Sequence, residues 1–314
     1  MRRAGFRQGP VLVLGAAGID IVGRASADLQ TGTSNPGQLR ISHGGVARNV
    51  AENLAHLGTD TILLTAVGDD ALGHQILARA EGEGVDIASA IIQPDQQTGA
   101  YLALLDRKGN LVQGLDDMSV IAAITPEAVH QRGALFRQAS VLVMDANLPE
   151  AAFQSAFELA AAEDLPVAVD PTTRALSPRI RPHLSSLWLV SANEREAQAL
   201  LPGTEIDSDP ANAVTAARQL VALGAEMAMI TLAEFGVAYA ATEGSGHIPA
   251  VKTDIVDPTG AGDALLATVV FGLLNDIPLD EAVRLGVTAA ALTLRTRDSV
   301  VPDLSLERLY DQLV

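Results

Sequence analysis

Short runs of aliphatic and β-branched residues alternate with segments in which apolar positions return every three or four residues. The runs are "VLVLG" from Val11, "TILLTAV" from Thr61, "SVLVMD" from Ser140, "PVAVD" from Pro166, "LWLVSAN" from Leu187 and "MAMITL" from Met227. Between them, "GGVARNVAENLAHLG" puts Val46, Val50, Leu54 and Leu57 on one helical face, and "EAAFQSAFELAAAE" carries a second helical period. A strand that is apolar throughout is covered on both faces, and strands spaced by helices pair in parallel. The pattern therefore predicts an α/β fold, a mostly parallel sheet with helices on both sides, whose active site lies beyond the carboxyl ends of the strands.

Two regions break this rhythm. Residues 22–42 are polar and turn-rich, and residues 97–115 read as two strands, "TGAYLALLD" and "LVQGL", around the turn "RKGN". Neither holds a helical crossover. Together they predict a small β-layer set into the main fold, placed to cover a site; two long surface loops are the plainer alternative. No internal repeat interrupts the chain, and residues 1–314 read as one domain.

Composition narrows the chemistry. The chain has 314 residues, 48% hydrophobic and 19% charged, with a formal net charge of -17. A field of that sign repels nucleic acid and anionic membranes. There is no cysteine, which excludes disulfides, thiolate metal sites and a cysteine nucleophile. The start "MRRAGFRQGPVLVLGAAGIDIVG" imitates an export signal, with Arg2, Arg3 and Arg7 ahead of an apolar run. Pro10, Gly15 and Asp20 interrupt it, and a buried first strand from Val11 to Leu14 accounts for it better. No stretch approaches the roughly 20 apolar residues of a membrane span, so a cytoplasmic protein is expected.

The segment "DPTGAGD", Asp257 to Asp263, opens a long apolar helical run. Gly260, Ala261 and Gly262 carry almost no side chain, so their amides can approach an anion while the helix start adds its positive end. Asp263 then has two readings. It caps the helix, or it is a general base that takes a proton from a hydroxyl attacking a phosphate held by the same turn. Elsewhere, Asn193 and Glu196 in "SANERE" have capping-box spacing. The six histidines show no metal-ligand spacing. Neither a Walker P-loop nor a G-x-S-x-G elbow occurs, which counts against a P-loop kinase and a serine hydrolase.

The segment resembles the C-terminal signature of the PfkB, or ribokinase-like, kinases, Asp-Thr-x-Gly-Ala-Gly-Asp, with Pro258 where Thr is usual. "GGVARNVAENLAHLG" is similar to the family's first signature through Gly44, Gly45 and Asn49. Asp20, in "GAAGID", matches its substrate-binding acid, although Gly18 stands where the family often has Asn. The resemblance covers nearly the whole chain. It implies a three-layer α/β/α fold with a small inserted β-sheet lid, and it implies that Asp263 is the catalytic base, Gly260, Ala261 and Gly262 the anion hole, and Gly44, Gly45, Asn49 and Asp20 a sugar site. Asn147 falls where the family puts a polar substrate contact. Asn193, Glu196, Thr231 and Gly236 would serve ATP, Glu196 orienting Mg2+ through water, and Asp257 with Thr259 would stand near a monovalent cation, K+. Ala233 replaces a frequent Gly in the ATP-contacting turn.

Within the family, "SNPGQLRISHGGVARNVAENLAHLG" and "YLALLDRKGNLVQGLDDMSVIAAITPE" are similar to the pseudouridine kinases, with Asp116 where that group usually has Asn. The implied reaction carries the γ-phosphate of ATP to the 5′-hydroxyl of pseudouridine, with Ser34, Asn35 and Asp117 of the insert reading the base. Another sugar or nucleoside kinase of the family is the alternative, and a non-catalytic nucleoside- or sugar-binding regulator a weaker one. Exposed lid strands need a partner, so a homodimer through the lid is expected.

Overall fold

A computed structural model describes residues 6–313, so Arg2 and Arg3 of the basic start lie outside the described residues. In chain order the elements are β1 Val11–Leu14, β2 Gly18–Ala25, β3 Gly37–Gly44, α1 Val46–His56, β4 Thr61–Leu64, β5 Ala66–Gly68, α2 Ala71–Gly82, β6 Ile91–Gln93, β7 Ala100–Leu105, β8 Leu111–Asp117, α3 Pro126–Gln131, α4 Gly133–Gln138, β9 Val141–Asp145, α5 Glu150–Ala162, β10 Val167–Asp170, β11 Leu189–Asn193, α6 Glu194–Leu200, α7 Pro210–Ala222, β12 Met227–Thr231, β13 Val237–Ala241, β14 Gly244–Ile248, α8 Ala261–Leu274, α9 Leu279–Leu294 and α10 Leu306–Asp311. The expected first strand, the two helices and the six apolar runs all stand where the sequence pattern puts them.

The main sheet runs β14-β13-β12-β11-β10-β9-β1-β4. Its six strands from β12 to β4 are parallel; β13 and β14 add an antiparallel edge that the apolar pattern did not announce. Alternation along the strands builds two cores. Leu12 and Leu14 join Phe136, Phe153 and Leu220 under α4, α5 and α7, whereas Val11 and Val13 join Val50, Leu54 and Leu266 under α1 and α8. Each such side chain, fully removed from water, contributes roughly 1.5–3 kcal/mol before the entropy of ordering it is subtracted. The result is the expected three-layer α/β/α arrangement.

The chain leaves β1 for β4 on one side and returns to β9 on the other, so the strand order reverses between β1 and β9. Ligands of open parallel sheets bind at such a reversal, beyond the carboxyl ends. A second, four-stranded sheet of order β3-β2-β7-β8 rises from that end. Its strands reach further towards the main fold than residues 22–42 and 97–115, and so take in Asp20, Gly44 and Asp117.

Register gives this small sheet two unlike faces. Ile41, Ile21, Leu102 and Leu115 are cross-strand neighbours in one row; Ser42, Asp20, Tyr101 and Asp116 form the adjacent row on the opposite face. Near its root the apolar face packs through Ile19 against Ile76 and Leu77 of α2. Further out it is open, with Leu39 81%, Ile41 65% and Leu115 70% exposed.

Candidate active site

The polar row and the main sheet converge on the β1/β9 reversal. Asp145, ending β9, accepts the amides of Ala16 at 2.8 Å and Ala47 at 3.1 Å through Oδ2, and that of Asn147 at 2.9 Å through Oδ1. It thereby ties the loop after β1 to the start of α1. Gly45 begins that helix at φ 94°, and a Cβ there would lie 2.5 Å from the Ala16 carbonyl oxygen, so only glycine permits this approach. Gly44 closes β3 directly beneath Asp20, where a Cβ would come within 2.4 Å of the carboxylate. The departure at Gly18 also has a steric cause. A side chain there would meet the Gly99 carbonyl at 2.7 Å and Met118 at 3.1 Å.

Asn49 stands in the first turn of α1 and reaches Asp263 of α8 with Nδ2 donating to Oδ2 at 2.5 Å. Its Oδ1 accepts from the Arg48 guanidinium and sits 3.0 Å from Ser299 Oγ. Arg48 has no acceptor to offer, so it fixes which way the amide points. Arg48 itself is fully buried, held by Glu52 at 2.7 Å, Ser299 at 2.9 Å and the Gly44 carbonyl at 3.2 Å. The pairing Asn49–Asp263 joins two signatures that lie more than two hundred residues apart in the sequence.

Gly260 precedes α8 in the left-handed region, φ 82°, with no room for a Cβ because the Ser299 carbonyl oxygen would lie 2.0 Å from it. No side chain caps this helix start. The amides of Ala261, Gly262 and Asp263 therefore lack intrahelical acceptors, and the space over Gly262 is open. A left-handed glycine before an uncapped, 14-residue helix is the anion cradle that the sequence suggested. Asp263 is buried in the same turn without serving as its cap.

Burial pushes the Asp263 carboxyl up to about 7, with Asp145 and Asp20 adding to the rise against the pull of Asn49 and Arg48. Asp20 is also raised, first by burial and then by Asp116, while Arg48 and Arg40 oppose this. Asp145 is raised by burial against its three backbone donors. Asp170, paired in register with Asp145 at the end of β10, is pushed well above the carboxylate range by burial and by the charges of Glu196, Asp263 and Asp145. Acids crowded this way favour an arriving cation.

On the nucleotide side, Asn193 and Glu196 form a reciprocal capping box for α6, 3.0 Å and 2.9 Å. Beyond its capping role, Glu196 belongs to the acid cluster around Asp170, and burial raises its carboxyl. The residues present thus fit a divalent ion brought with a polyphosphate: Glu196, Asn193 and Asp170 would hold its water shell. Thr231 ends β12 beside Asn193. Gly236 turns the chain at φ 100°, and Ala233 holds φ 47°, a left-handed angle that suits the glycine common at this point in the family.

Other expected contacts are placed elsewhere. Asn35 uses its side chain on its own hairpin, bonding Gln30 and Thr33, and Ser34 beside it is exposed. About 17 Å of strand separates Asp20 from that loop. Asp117 is directed to the outer face and bonds the Ser119 amide; the acid whose charge reaches Asp20 is Asp116. Asn147 is half-buried beside Asp145. Asp257 accepts the Thr259 amide at 2.8 Å and also pairs with Arg40.

Sequence reasoning passed over Arg48 as a hub, Ser299, Asp116, Asp145 and Asp170. The last two carried a signal: "VLVMD" and "VAVD" each end a buried parallel strand in an acid, which places both carboxylates at the end where such sheets bind ligands.

The chain belongs to the pfkB family of carbohydrate kinases, whose model matches residues 9–304. It is 34% identical to the pseudouridine kinase of Escherichia coli (strain K12), over 94% of both chains. It is 27% identical to the guanosine-inosine kinase of Exiguobacterium acetylicum, over 94% of this chain and 97% of that one. Among solved structures, Arabidopsis thaliana ribokinase complexed with ribose and ATP superimposes with a TM-score of 0.83 at 20% identity, covering 98% of this chain and 99% of that one.

Proposed function

We propose that this kinase transfers the γ-phosphoryl group of magnesium-bound ATP to the 5′-hydroxyl of pseudouridine. The observation that carries phosphoryl transfer is the pairing of Asp263, buried and raised to about 7, with the uncapped amides of its own helix start. The similarity to the E. coli pseudouridine kinase supports the choice of substrate. So does the inner face of the small sheet, which sets Ser42, Tyr101 and Asp116 around Asp20. The uracil of a C-nucleoside carries two ring N–H donors, and a carboxylate with a hydroxyl beside it suits that edge. Ser42, Tyr101 and Asp116 therefore replace Ser34, Asn35 and Asp117 as the base-reading set.

In this reading Asp20 accepts hydrogen bonds from ribose hydroxyls. Asn49 acts only as a donor, since Arg48 and Ser299 occupy its oxygen. Its remaining N–H directs the sugar while the other holds Asp263 at the 5′-hydroxyl. Asp263 takes the hydroxyl proton as the oxygen attacks phosphorus. The amides of Ala261 to Asp263 stabilise charge on the equatorial oxygens. Asn193 and Glu196 would hold the water shell of magnesium, which when bound would offset the charge of the polyphosphate. Thr231 and Gly236 border the nucleotide, and Asn147 the sugar. A second copy of the chain covers the outer apolar row, giving a homodimer, and an ATP-consuming reaction of this kind belongs in the cytoplasm.

A coupled ADP-release assay across pseudouridine, uridine, guanosine, ribose and fructose tests the reading. Pseudouridine should give the highest kcat/KM. Turnover of ribose or guanosine with pseudouridine inert would overturn the substrate, and inactivity toward all five would favour a non-catalytic binding protein.

A further inference from the structure

Arg40 lies on β3, on the same face as Ser42, and its guanidinium leaves the small sheet to bridge two loops of the main fold. One arm pairs with the Asp257 carboxylate and the other donates to the Arg297 carbonyl. Both loops form the wall of the anion cradle. Asp257 also accepts the Thr259 amide one residue before Gly260, and Gly260 packs on the Ser299 carbonyl.

A carboxylate and backbone carbonyls in converging loops make the oxygen cage that a monovalent cation needs, and the family resemblance puts one beside Asp257 and Thr259. In this chain the residues do not fit a bound cation, because the guanidinium already takes the carboxylate and the Arg297 carbonyl. The guanidinium cannot be deprotonated and satisfies a carboxylate and a carbonyl at once.

We propose that Arg40 supplies, from the lid sheet, the permanent positive charge beside the anion cradle that a monovalent cation would otherwise provide, so that the kinase works without potassium. The charge is then fixed to the element that covers the substrate. Placing the sheet and completing the cradle become one event.

The proposal rests on the phosphotransfer reading, and its test has one arm that needs no substrate. Wild-type enzyme, Arg40→Ala and Arg40→Lys are compared in tetramethylammonium and potassium buffers of equal ionic strength, by turnover of whichever substrate is accepted and by melting temperature. The wild type should be indifferent to potassium in both readouts. Arg40→Ala should lose at least about tenfold in kcat without potassium, recover on its addition, and gain a potassium-dependent rise in melting temperature through ion binding to the native state. Arg40→Lys should lie between the two. A wild type that needs potassium or is stabilised by it, an Arg40→Ala variant fully active without it, or a loss that potassium leaves unrestored overturns the proposal. A wrong choice of substrate leaves the melting comparison intact.

Discussion

Asp263 couples chemistry to pH and to stability in opposite directions. In its proposed role as base Asp263 must be ionised, so kcat/KM should rise with pH through about 7 and then level. Asp263→Asn should flatten that limb and cut turnover by roughly 10²–10⁴-fold while substrate still binds by calorimetry. Near-normal turnover in the variant would refute the base assignment. For stability the sign reverses. The native carboxyl titrates at about 7 against an ordinary 3.8, so the native state retains a proton that the unfolded state has released, and stability falls as pH climbs through that window. Asp263→Asn should therefore be more stable than wild type at pH 8, by up to about 4 kcal/mol, with the difference vanishing below pH 4. Denaturant titrations at the two pH values would show it. Arg48 invites a separate prediction. Arg48→Met removes the nearer cation from buried Glu52 and leaves Arg79 at 3.6 Å as its remaining partner, which should cost about 1–3 kcal/mol and release the Asn49 amide. Asp263, Asn49, Gly44 and Gly260 were legible in the sequence because they fall in two segments that resemble the family's signatures. Arg48, Ser299, Asp116 and Arg40 were not, because their roles arise from contacts such as Arg48–Ser299 and Arg40–Asp257 that span about two hundred and more residues of chain.

At the level of elements, glycines mark where backbones must nearly touch. Gly44→Ala would drive a methyl into Asp20, displacing the carboxylate proposed to hold the sugar. It should raise KM for the nucleoside by about tenfold or more and leave KM for ATP near its wild-type value, which steady-state kinetics would separate. The parallel strands were visible because burial on both faces leaves long apolar runs. The β13–β14 hairpin was not, since "VAYAATEGSGHI" mixes small and polar residues that fit an edge as well as a loop. The strands of the insert were foreseen, but not that they start at Gly18 and end at Asp117. Pairing register, not composition, sets those limits, and it puts Asp116 and not Asp117 on the face of Asp20, which is why the proposed base-reading set takes Asp116. The box of Asn193 and Glu196 is a helix cap made from the same two residues that are proposed to serve the nucleotide.

For the whole molecule, the outer apolar row sets the association state proposed above. Leu115→Lys places charge at one end of a row in which Ile41, Leu102 and Leu115 are exposed together. The variant should sediment as a monomer with an unchanged far-UV spectrum; a wild type that is itself monomeric at micromolar concentration would refute the homodimer. The overall charge of -17 makes two copies repel at long range, so the proposed association would draw on apolar burial in that row. Side-chain parity on the small sheet has a consequence for changing the protein. Ser42, Tyr101 and Asp116 share the inner face with Asp20, and Ile21, Ile41, Leu102 and Leu115 face outwards on the same backbone ladder. The two sets are thus separately editable: libraries restricted to positions 42, 101 and 116 can search for new acceptor nucleosides without disturbing the outer row, provided no insertion shifts the ladder and exchanges the faces.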